Sequence, residues 1–250
     1  MPEASLRFYE ELNDFLPLNL RKRDFNHRYI QGESIKHVIE TIGVPHTEVE
    51  VILVNGESVD FDYLLQADDR VSIYPIFESL DVTPVLRLRT EPLRRLRFIA
   101  DAQLGKLARY LRLLGFDCLF FNDAGDRNLV RISVDEGRVL LTRDRGLLMH
   151  RILTHGCFIH NTEPRQQLKE IVRRLQLEVL YNPFTRCMEC NGLLTAENKK
   201  QIEDQLPTHV RQTHEEFWRC NQCGRIYWKG SHYRDLRAFI DDLTPYLEKE

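Results

Sequence analysis

Apolar positions between residues 96 and 148 fall into three short runs, and each run ends in a polar stretch containing an aspartate before helical spacing resumes. Residues 96–100 predict a buried strand. Beyond Asp101, the residues Leu104, Leu107, Ala108, Leu111 and Leu114 recur three and four apart, which turns one apolar stripe of a helix toward a core. A second strand is predicted over 118–121, followed by Asp123, Asp126, helical spacing over 129–136, a stop at Gly137 and a third strand over 139–142 that leads into Asp144. The order is β-α-β-α-β, the signature of an α/β domain built on a parallel sheet. Further along, a fourth strand holds Cys157 between His155 and His160. A helix over 164–175 carries Pro164 in its first turn and directs Leu168, Ile171, Val172 and Leu175 inward. Residues 177–181 are expected to be the last strand of this sheet, and Asn182-Pro183 marks the boundary.

Ahead of this domain, residues 6–77 predict a small α+β unit with strands over 6–9, 28–30, 49–54 and 70–75. Its helix, over 34–42, is capped by Ser34 and buries Ile35, Val38, Ile39 and Ile42. Asn55-Gly56 is a strong hairpin turn between its strands. The stretch VILVNGESVDFDYLLQADDRVSIYP resembles the second half of a β-grasp domain of the ubiquitin or sulfur-carrier type. Carriers of that type act through a free Gly-Gly tail, whereas here the last strand runs on through Pro75-Ile76-Phe77, so docking of a protein partner or regulation is the expected role. A linker over 81–95 carries Pro84, Pro92 and arginines at 87, 89, 94 and 95. Each proline biases its predecessor away from helix, and the linker is expected along a phosphate backbone or against the acidic first unit.

With 250 residues and 42% hydrophobic content, the chain has room for two or three small domains. No apolar run reaches the length of a membrane span, and Met1 to Glu11 lacks the pattern of a signal peptide, so a cytoplasmic protein without a membrane partner is expected. The net charge of −3 hides an asymmetry. Residues 1–80 hold 7 basic and 15 acidic side chains, residues 81–181 hold 18 and 12, and residues 182–250 hold 10 and 11. A basic centre suits a protein that grips phosphates, and opposite charges on the first two segments invite contact between them that salt would loosen.

The most specific spacing is Cys187-x-x-Cys190 followed by Cys220-x-x-Cys223. Two such pairs supply four thiolates for one tetrahedral zinc, with no open position for water, so the metal is expected to fold the module. His209 and His214 lie between the pairs, but the cysteine set is complete without them. Around the second pair, Phe217, Trp218, Arg219, Tyr227, Trp228 and Lys229 mix aromatic rings with positive charge. That mixture suits stacking on unpaired bases, and a small module also needs such rings for its own core. Cys118 and Cys157 read as buried thiols.

Open parallel sheets bind ligands beyond the carboxyl ends of their strands, where Asp101, Asp126 and Asp144 fall. Each alone is also a preferred helix N-cap. Gathered at one rim, three carboxylates repel unless a cation lies between them. Carboxylates with water suit magnesium or manganese, which can activate water and neutralise phosphate oxygens. Arg143 and Arg145 flank Asp144, where they either hold a scissile phosphate or pair with neighbouring carboxylates. Lys106, Arg109 and Arg112 share the helix face opposite the apolar stripe, as a phosphate-binding row or as a solvated face.

The stretches FIADAQLGKLARYLRLLGFD and EGRVLLTRDRGLL and, past the cysteines, YWKGSHY resemble the Mut-seven C-terminal ribonuclease family, a branch of the PIN-like nucleases in which an N-terminal ubiquitin-like domain is a known attachment. The likeness covers nearly the whole chain. It implies a ubiquitin-like β-grasp domain at 1–80, the linker, a PIN-like nuclease domain at 96–181, and a zinc ribbon with a C-terminal helix at 182–250. Carried over by position, the family's acids are Asp101, Asp126 and Asp144, with Asp123 and Glu136 competing for a fourth place. The implied activity is hydrolysis of RNA phosphodiester bonds with magnesium or manganese. The rival reading is a non-catalytic adaptor binding RNA or ribonucleoprotein through the basic centre and ribbon, and a sulfur-transfer accessory is a weaker third. Hydrolysis requires the acid trio and binding does not.

Overall fold

The computed structural model describes residues 1–75, 87–88 and 96–243, so most of the proline-containing linker and the end of the expected C-terminal helix lie outside the described residues. The chain gathers into two compact units, Met1–Gln103 with Phe121–His160, and Leu104–Phe120 with Asn161–Glu250. Among the described residues no helix is long and apolar enough to cross a membrane.

The first unit begins with β1 (Glu3–Phe8), β2 (Phe25–Arg28), α1 (Ile35–Ile42), β3 (Val49–Val54), β4 (Glu57–Val59) and β5 (Arg70–Pro75). These strands form one five-stranded sheet in the order β2-β1-β5-β3-β4, with β1 and β5 parallel and the other pairs antiparallel. Alternate residues of β1 and β5 point inward, as a half-buried sheet requires, and meet Ile35, Val38 and Ile39 of α1. Ser34 caps α1 by accepting the His37 N–H, as expected. Asn55 and Gly56, with φ of 53° and 91°, make the tight β3–β4 hairpin. The second strand lies at Phe25–Arg28, a few residues before the expected 28–30, because Leu6 pairs with Phe25 and Glu3 with Arg28.

Beyond β6 (Arg97–Ala100), the elements α2 (Gly105–Leu113) and β7 (Asp117–Phe120) belong to the second unit, and α3 (Asp126–Glu136), β8 (Val139–Thr142), α4 (Arg145–Leu148) and β9 (Gly156–Phe158) return to the first. Strands β6, β8 and β9 are parallel neighbours, with Ala100 beside Leu141 and Leu141 beside Cys157. All four residues of β8 are buried. Helix α3 lies against β6 and β8, and its C-terminal end is fixed by two arginines. Arg97 donates to the Glu136 carbonyl, and the buried Arg138 reaches both the Glu136 carboxylate and the Phe98 carbonyl.

The first sheet and the parallel strands meet inside this unit. A 3-10 turn, His46–Glu48, covers the edge strand β9: Glu48 accepts the Phe158 N–H, Thr47 Oγ1 donates to the Leu148 carbonyl at 3.4 Å, and His46 Nε2 donates to the Leu153 carbonyl at 2.8 Å. The contact expected from opposite charges is present, but buried hydrogen bonds and aromatic rings make it. Thr47 and Glu48 are 0% and 1% exposed.

In the second unit, the stripe of Leu107, Ala108 and Leu111 on α2 is fully buried. α5 (Pro164–Arg174) starts at Pro164 with Glu163 as its cap and buries Leu168, Ile171 and Val172. Residues 177–181 are not a strand. Gln176 takes a left-handed conformation (φ 42°), and the chain closes at once into a 3-10 turn, Leu177–Leu180, anchored by the buried Leu177. β10 (Leu194–Glu197), α6 (Lys199–Ile202), α7 (Thr208–Thr213), β11 (Phe217–Cys220) and β12 (Ile226–Trp228) follow, the strands forming an antiparallel sheet in the order β10-β11-β12. Ile202, Leu206, Val210 and Phe217 are its small core. α8 (Ser231–Asp241) packs back onto this unit, with the Phe239 ring 5.1 Å from Tyr110 and beneath the Arg165 guanidinium.

Candidate active site and metal centre

The aspartate region is built around one threonine. Asp101 follows the last residue of β6, and its N–H donates to the Leu141 carbonyl of β8, extending the parallel pairing by one step. Thr142, the last residue of β8 and 0% exposed, donates from Oγ1 to Asp101 Oδ2 at 2.7 Å. The same oxygen accepts the Asp144 N–H at 3.0 Å. One hydroxyl therefore ties the Asp101 carboxylate to the Asp144 backbone at the carboxyl rim of adjacent parallel strands. Asp101 Oδ1 accepts its neighbour's N–H, from Ala102, at 2.6 Å. Asp144 Oδ1 accepts from Gly146 and Leu147 at 2.7 and 3.4 Å and so caps α4, while its Oδ2 takes neither amide. Cap and rim ligand are thus compatible roles for this side chain.

Asp126 is exposed and is the first residue of α3, whose cap is Gly125, so the capping alternative does not apply to it. Eleven residues of helix rise about 16 Å and four of strand about 13 Å. Because α3 turns tightly at Gly137 into β8 and runs back along it, the Asp126 end of α3 lies toward the rim that carries Asp101 and Asp144. Asp123 is exposed in the loop at that same end. Glu136 is at the opposite end of α3, paired with Arg138 at 2.8 Å, which separates it from the rim. Among the described residues, the aspartates do not bring three possible metal-ligand atoms together as the cysteines do.

The flanking arginines differ. Arg143 is partly buried, and its Nε has no hydrogen-bond partner among the described residues. Arg145 is committed elsewhere, its guanidinium lying 5.1 Å over the Phe15 ring and 5.5 Å over Phe158. The expected row on α2 also breaks up. Lys106 is exposed, and Arg109 pairs with Glu189 at 2.5 Å. Arg112 is 4% exposed and donates to the carbonyls of Cys118, Met188 and Glu189, so it is a structural fastener out of reach of any phosphate. Arginine is long enough to turn from a polar helix face into backbone carbonyls, and helical spacing alone does not reveal this.

Those carbonyls belong to the cysteine centre. The ligand atoms of Cys187, Cys190, Cys220 and Cys223 all lie within 4.8 Å of one another. The two turns that present them are built alike: Asn191 and Gly224 adopt φ of 73° and 72° and donate their N–H groups to the carbonyls of Cys187 and Cys220. The backbone of Gly192 approaches so closely that a Cβ there would stand 2.8 Å from the Cys220 sulfur. Asn191 also accepts the Cys118 N–H and donates to Asp117, fixing the first turn to β7. Tyr227 Oη lies 3.0 Å from the Cys187 sulfur, and burial with this contact raises its pKa. Burial pushes the Cys190 thiol up to about 12. Burial also opposes ionisation of Cys220, but the N–H groups of Cys223 and Gln222 and the neighbouring thiols hold it down to about 7. Four convergent sulfurs with amide donors around them fit a tetrahedral thiophilic cation.

Of the aromatic candidates, Trp228 packs on the small core beside its strand partner Phe217 and is structural. Trp218 pairs with Tyr227 across the sheet and is partly exposed, with Lys229 Nζ 5.2 Å over its ring and 2.8 Å from Glu216. Thr142 is the site residue that sequence reasoning missed; its signal is a hydroxyl residue closing an apolar strand two places before an aspartate.

Comparison with known proteins places these features. A human protein described as exonuclease mut-7 homolog (Homo sapiens) is 30% identical over 111 residues, a match covering 40% of this chain and 12% of that protein's length. A solved structure described as a putative molybdopterin converting factor, subunit 1, from Pyrococcus furiosus aligns with 18% identity and a TM-score of 0.25, covering 30% of this chain and 98% of that one. The family model described as Mut7-C ubiquitin matches residues 1–81, and that described as Mut7-C RNAse domain matches residues 96–240. The chain belongs to the Mut7-C RNAse domain family and carries the Mut7-C ubiquitin-like domain ahead of it.

Proposed function

We propose that this chain is a metal-dependent ribonuclease of PIN-like type, in which Asp101 and Asp144, with Asp126 and Asp123 beside them, hold magnesium or manganese, and the cysteine centre holds one structural zinc in a ribbon. The observation that carries the reading is the Asp101–Thr142–Asp144 connection at the carboxyl ends of adjacent parallel strands in an RNAse-family domain. Magnesium dehydrates reluctantly and is held by one or two carboxylates plus water and substrate phosphates, so a full protein cage is not required. When bound, such an ion supplies an activated water and neutralises phosphate charge. The chain's own residues do the rest. Thr142 fixes the direction of the Asp101 carboxylate, α4 fixes Asp144 through its cap, and Arg143, next to Asp144 in the chain, has a buried Nε with no hydrogen-bond partner among the described residues. Trp218 with Lys229 offers a ring and a charge for unpaired bases. Cytoplasmic residence belongs to the same reading.

The test is incubation of the purified chain with a mixed RNA pool, with manganese or magnesium and with chelator, beside Asp144→Asn. Asparagine caps a helix about as well as aspartate, so the variant folds, while cleavage falls at least about a hundredfold. An Asp144→Asn chain that cleaves at the parental rate, with the parental metal dependence, removes Asp144 from the mechanism. The adaptor reading then stands, with retained RNA binding as its mark.

A further inference from the structure

We infer that the ubiquitin-like domain is a built-in positioning element of the aspartate site, clamping the segment that carries Asp144. The inference rests on the nuclease reading for its catalytic consequence and on geometry alone for the clamp itself.

Helix α4 is a single turn of four residues, too short to be stable by itself. Its N-terminal end is the Asp144 cap, which exists only while Gly146 and Leu147 stay helical. The rest of the segment packs on β8 and β9 through the buried Leu147 and Leu148 and is also held by the first sheet domain. Thr47 donates to the Leu148 carbonyl at the far end of α4, His46 to the Leu153 carbonyl in the following loop, and Glu48 accepts the N–H of Phe158 on the edge strand. Phe15 and Phe158 meet edge to face at 5.6 Å, with the Arg145 guanidinium over both rings. These contacts fall on Arg145 and Leu148 of α4 and on Leu153 and Phe158 in the loop and strand that follow it.

The His46–Glu48 side chains are polar, and each is satisfied by a group of the segment it covers. His46 Nδ1 is oriented in turn by Glu40 at 2.6 Å. Burying polar groups this deeply is unfavourable unless partners are matched, so the turn is shaped for this segment and not for a free surface. A domain whose face is used in this way has an internal task that needs neither a carrier tail nor a partner. Loss of the Phe15 ring frees Arg145, frays α4 and lets the Asp144 side chain leave its cap.

The experiment uses the full chain as parent, Phe15→Ala and Phe15→Tyr, reading amide hydrogen exchange at 145–149 together with manganese-dependent cleavage of a single-stranded RNA. The expected result for Phe15→Ala is exchange at 145–149 faster by about tenfold, the scale of a lost cation–π and ring contact, with β8 and the cysteine sheet unchanged. kcat falls about tenfold with KM within about twofold, and Phe15→Tyr restores both. Unchanged exchange at 145–149 in a folded Phe15→Ala chain overturns the clamp whatever the cleavage rate, and faster cleavage would identify an inhibitory contact and overturn it too. If the parent cuts no RNA, the nuclease reading fails, while the exchange comparison still decides the clamp. Should Phe15→Ala not fold, Thr47→Val must show the same local change on a smaller scale, about threefold, and its absence overturns the inference.

Discussion

Replacing Thr142 by valine keeps the shape of a fully buried side chain and removes one oxygen. That oxygen makes two hydrogen bonds of different kinds, to Asp101 Oδ2 at 2.7 Å and from the Asp144 N–H at 3.0 Å. Without it the Asp144 amide loses its acceptor, which costs about 1–3 kcal/mol for a group away from water. The bond to Asp101 is charge-assisted, about 1.5–3 kcal/mol in favourable settings, but Asp101 is partly exposed and water replaces some of it. The added methyl group returns about 0.8 kcal/mol of apolar burial. The balance is a destabilisation of about 2 kcal/mol, or roughly 4–8 °C in Tm for a unit of this size. Thr142→Ser keeps both hydrogen bonds and loses a methyl group, so it costs about 1 kcal/mol and leaves the aspartates linked. Urea unfolding of the three chains separates these effects, and manganese-dependent RNA cleavage should follow the hydroxyl: near-parental for serine, about tenfold or more lower for valine. A valine chain as stable and as active as the parent, or a serine chain worse than valine in either assay, would refute the reasoning.

Arg112→Met removes the donor to three carbonyls, two of them in the Cys187–Cys190 turn, and should cost about 3 kcal/mol and lower retained zinc; Arg112→Lys should fail to rescue because one ammonium cannot span the three acceptors. Equilibrium unfolding and elemental analysis check both, and parental zinc content in Arg112→Met would count against the fastening role. Zinc affinity should rise with pH, because near pH 8 the Cys220 thiol, at about 7, is largely ionised while the Cys190 thiol, at about 12, still holds a proton that the metal must displace. In the metal-free chain the sign differs between them. The depressed Cys220 adds stability that is complete above its ordinary value and lost as pH falls through about 7, and the raised Cys190 adds stability that is present below its ordinary value and lost as pH rises toward 12. Competition with a chromophoric chelator should give about a tenfold gain in affinity per pH unit for each proton displaced, and a flat profile between pH 6.5 and 8.5 would contradict it. Raising salt from 50 mM to about 500 mM should leave the two sheets of the first unit associated, since buried hydrogen bonds and rings hold them and screening acts on exposed charges; loss of exchange protection in β9 at high salt would show otherwise.

Elements that bury a regular stripe were legible to the residue or nearly so. Val139–Thr142 and Arg70–Pro75 stand where apolar runs put them, α1 keeps its expected Ser34 cap, and α5 starts at Pro164 as expected. The four cysteines were legible because two C-x-x-C turns can close on one point from spacing alone. Residues 177–181 were not, since an apolar run of strand length becomes a turn when Gln176 takes a left-handed conformation that no local pattern announces. The other misses share a cause. Thr142, Arg112, His46, Thr47 and Glu48 are polar residues buried by acceptors or donors between 41 and 110 positions away, and periodicity reads every such residue as surface.

Arg112 shows why those buried polar groups are not incidental. A guanidinium taken from water normally finds a carboxylate, yet this one points to backbone carbonyls, and burial lowers its pKa while the neighbouring Cys118, Cys187 and Cys190 sulfurs favour its charged form. Four thiolates around one divalent zinc leave two negative charges in a partly buried turn, and a fixed positive charge on the adjacent helix offsets half of that. The cation on α2 and the proposed metal therefore each make the burial of the other less costly. On this argument, zinc removal should loosen the Leu104–Phe120 segment of the second unit as well as the cysteine sheet, with exchange in α2 and β7 rising alongside that in β11; protection of α2 unaffected by chelation would break the link between them.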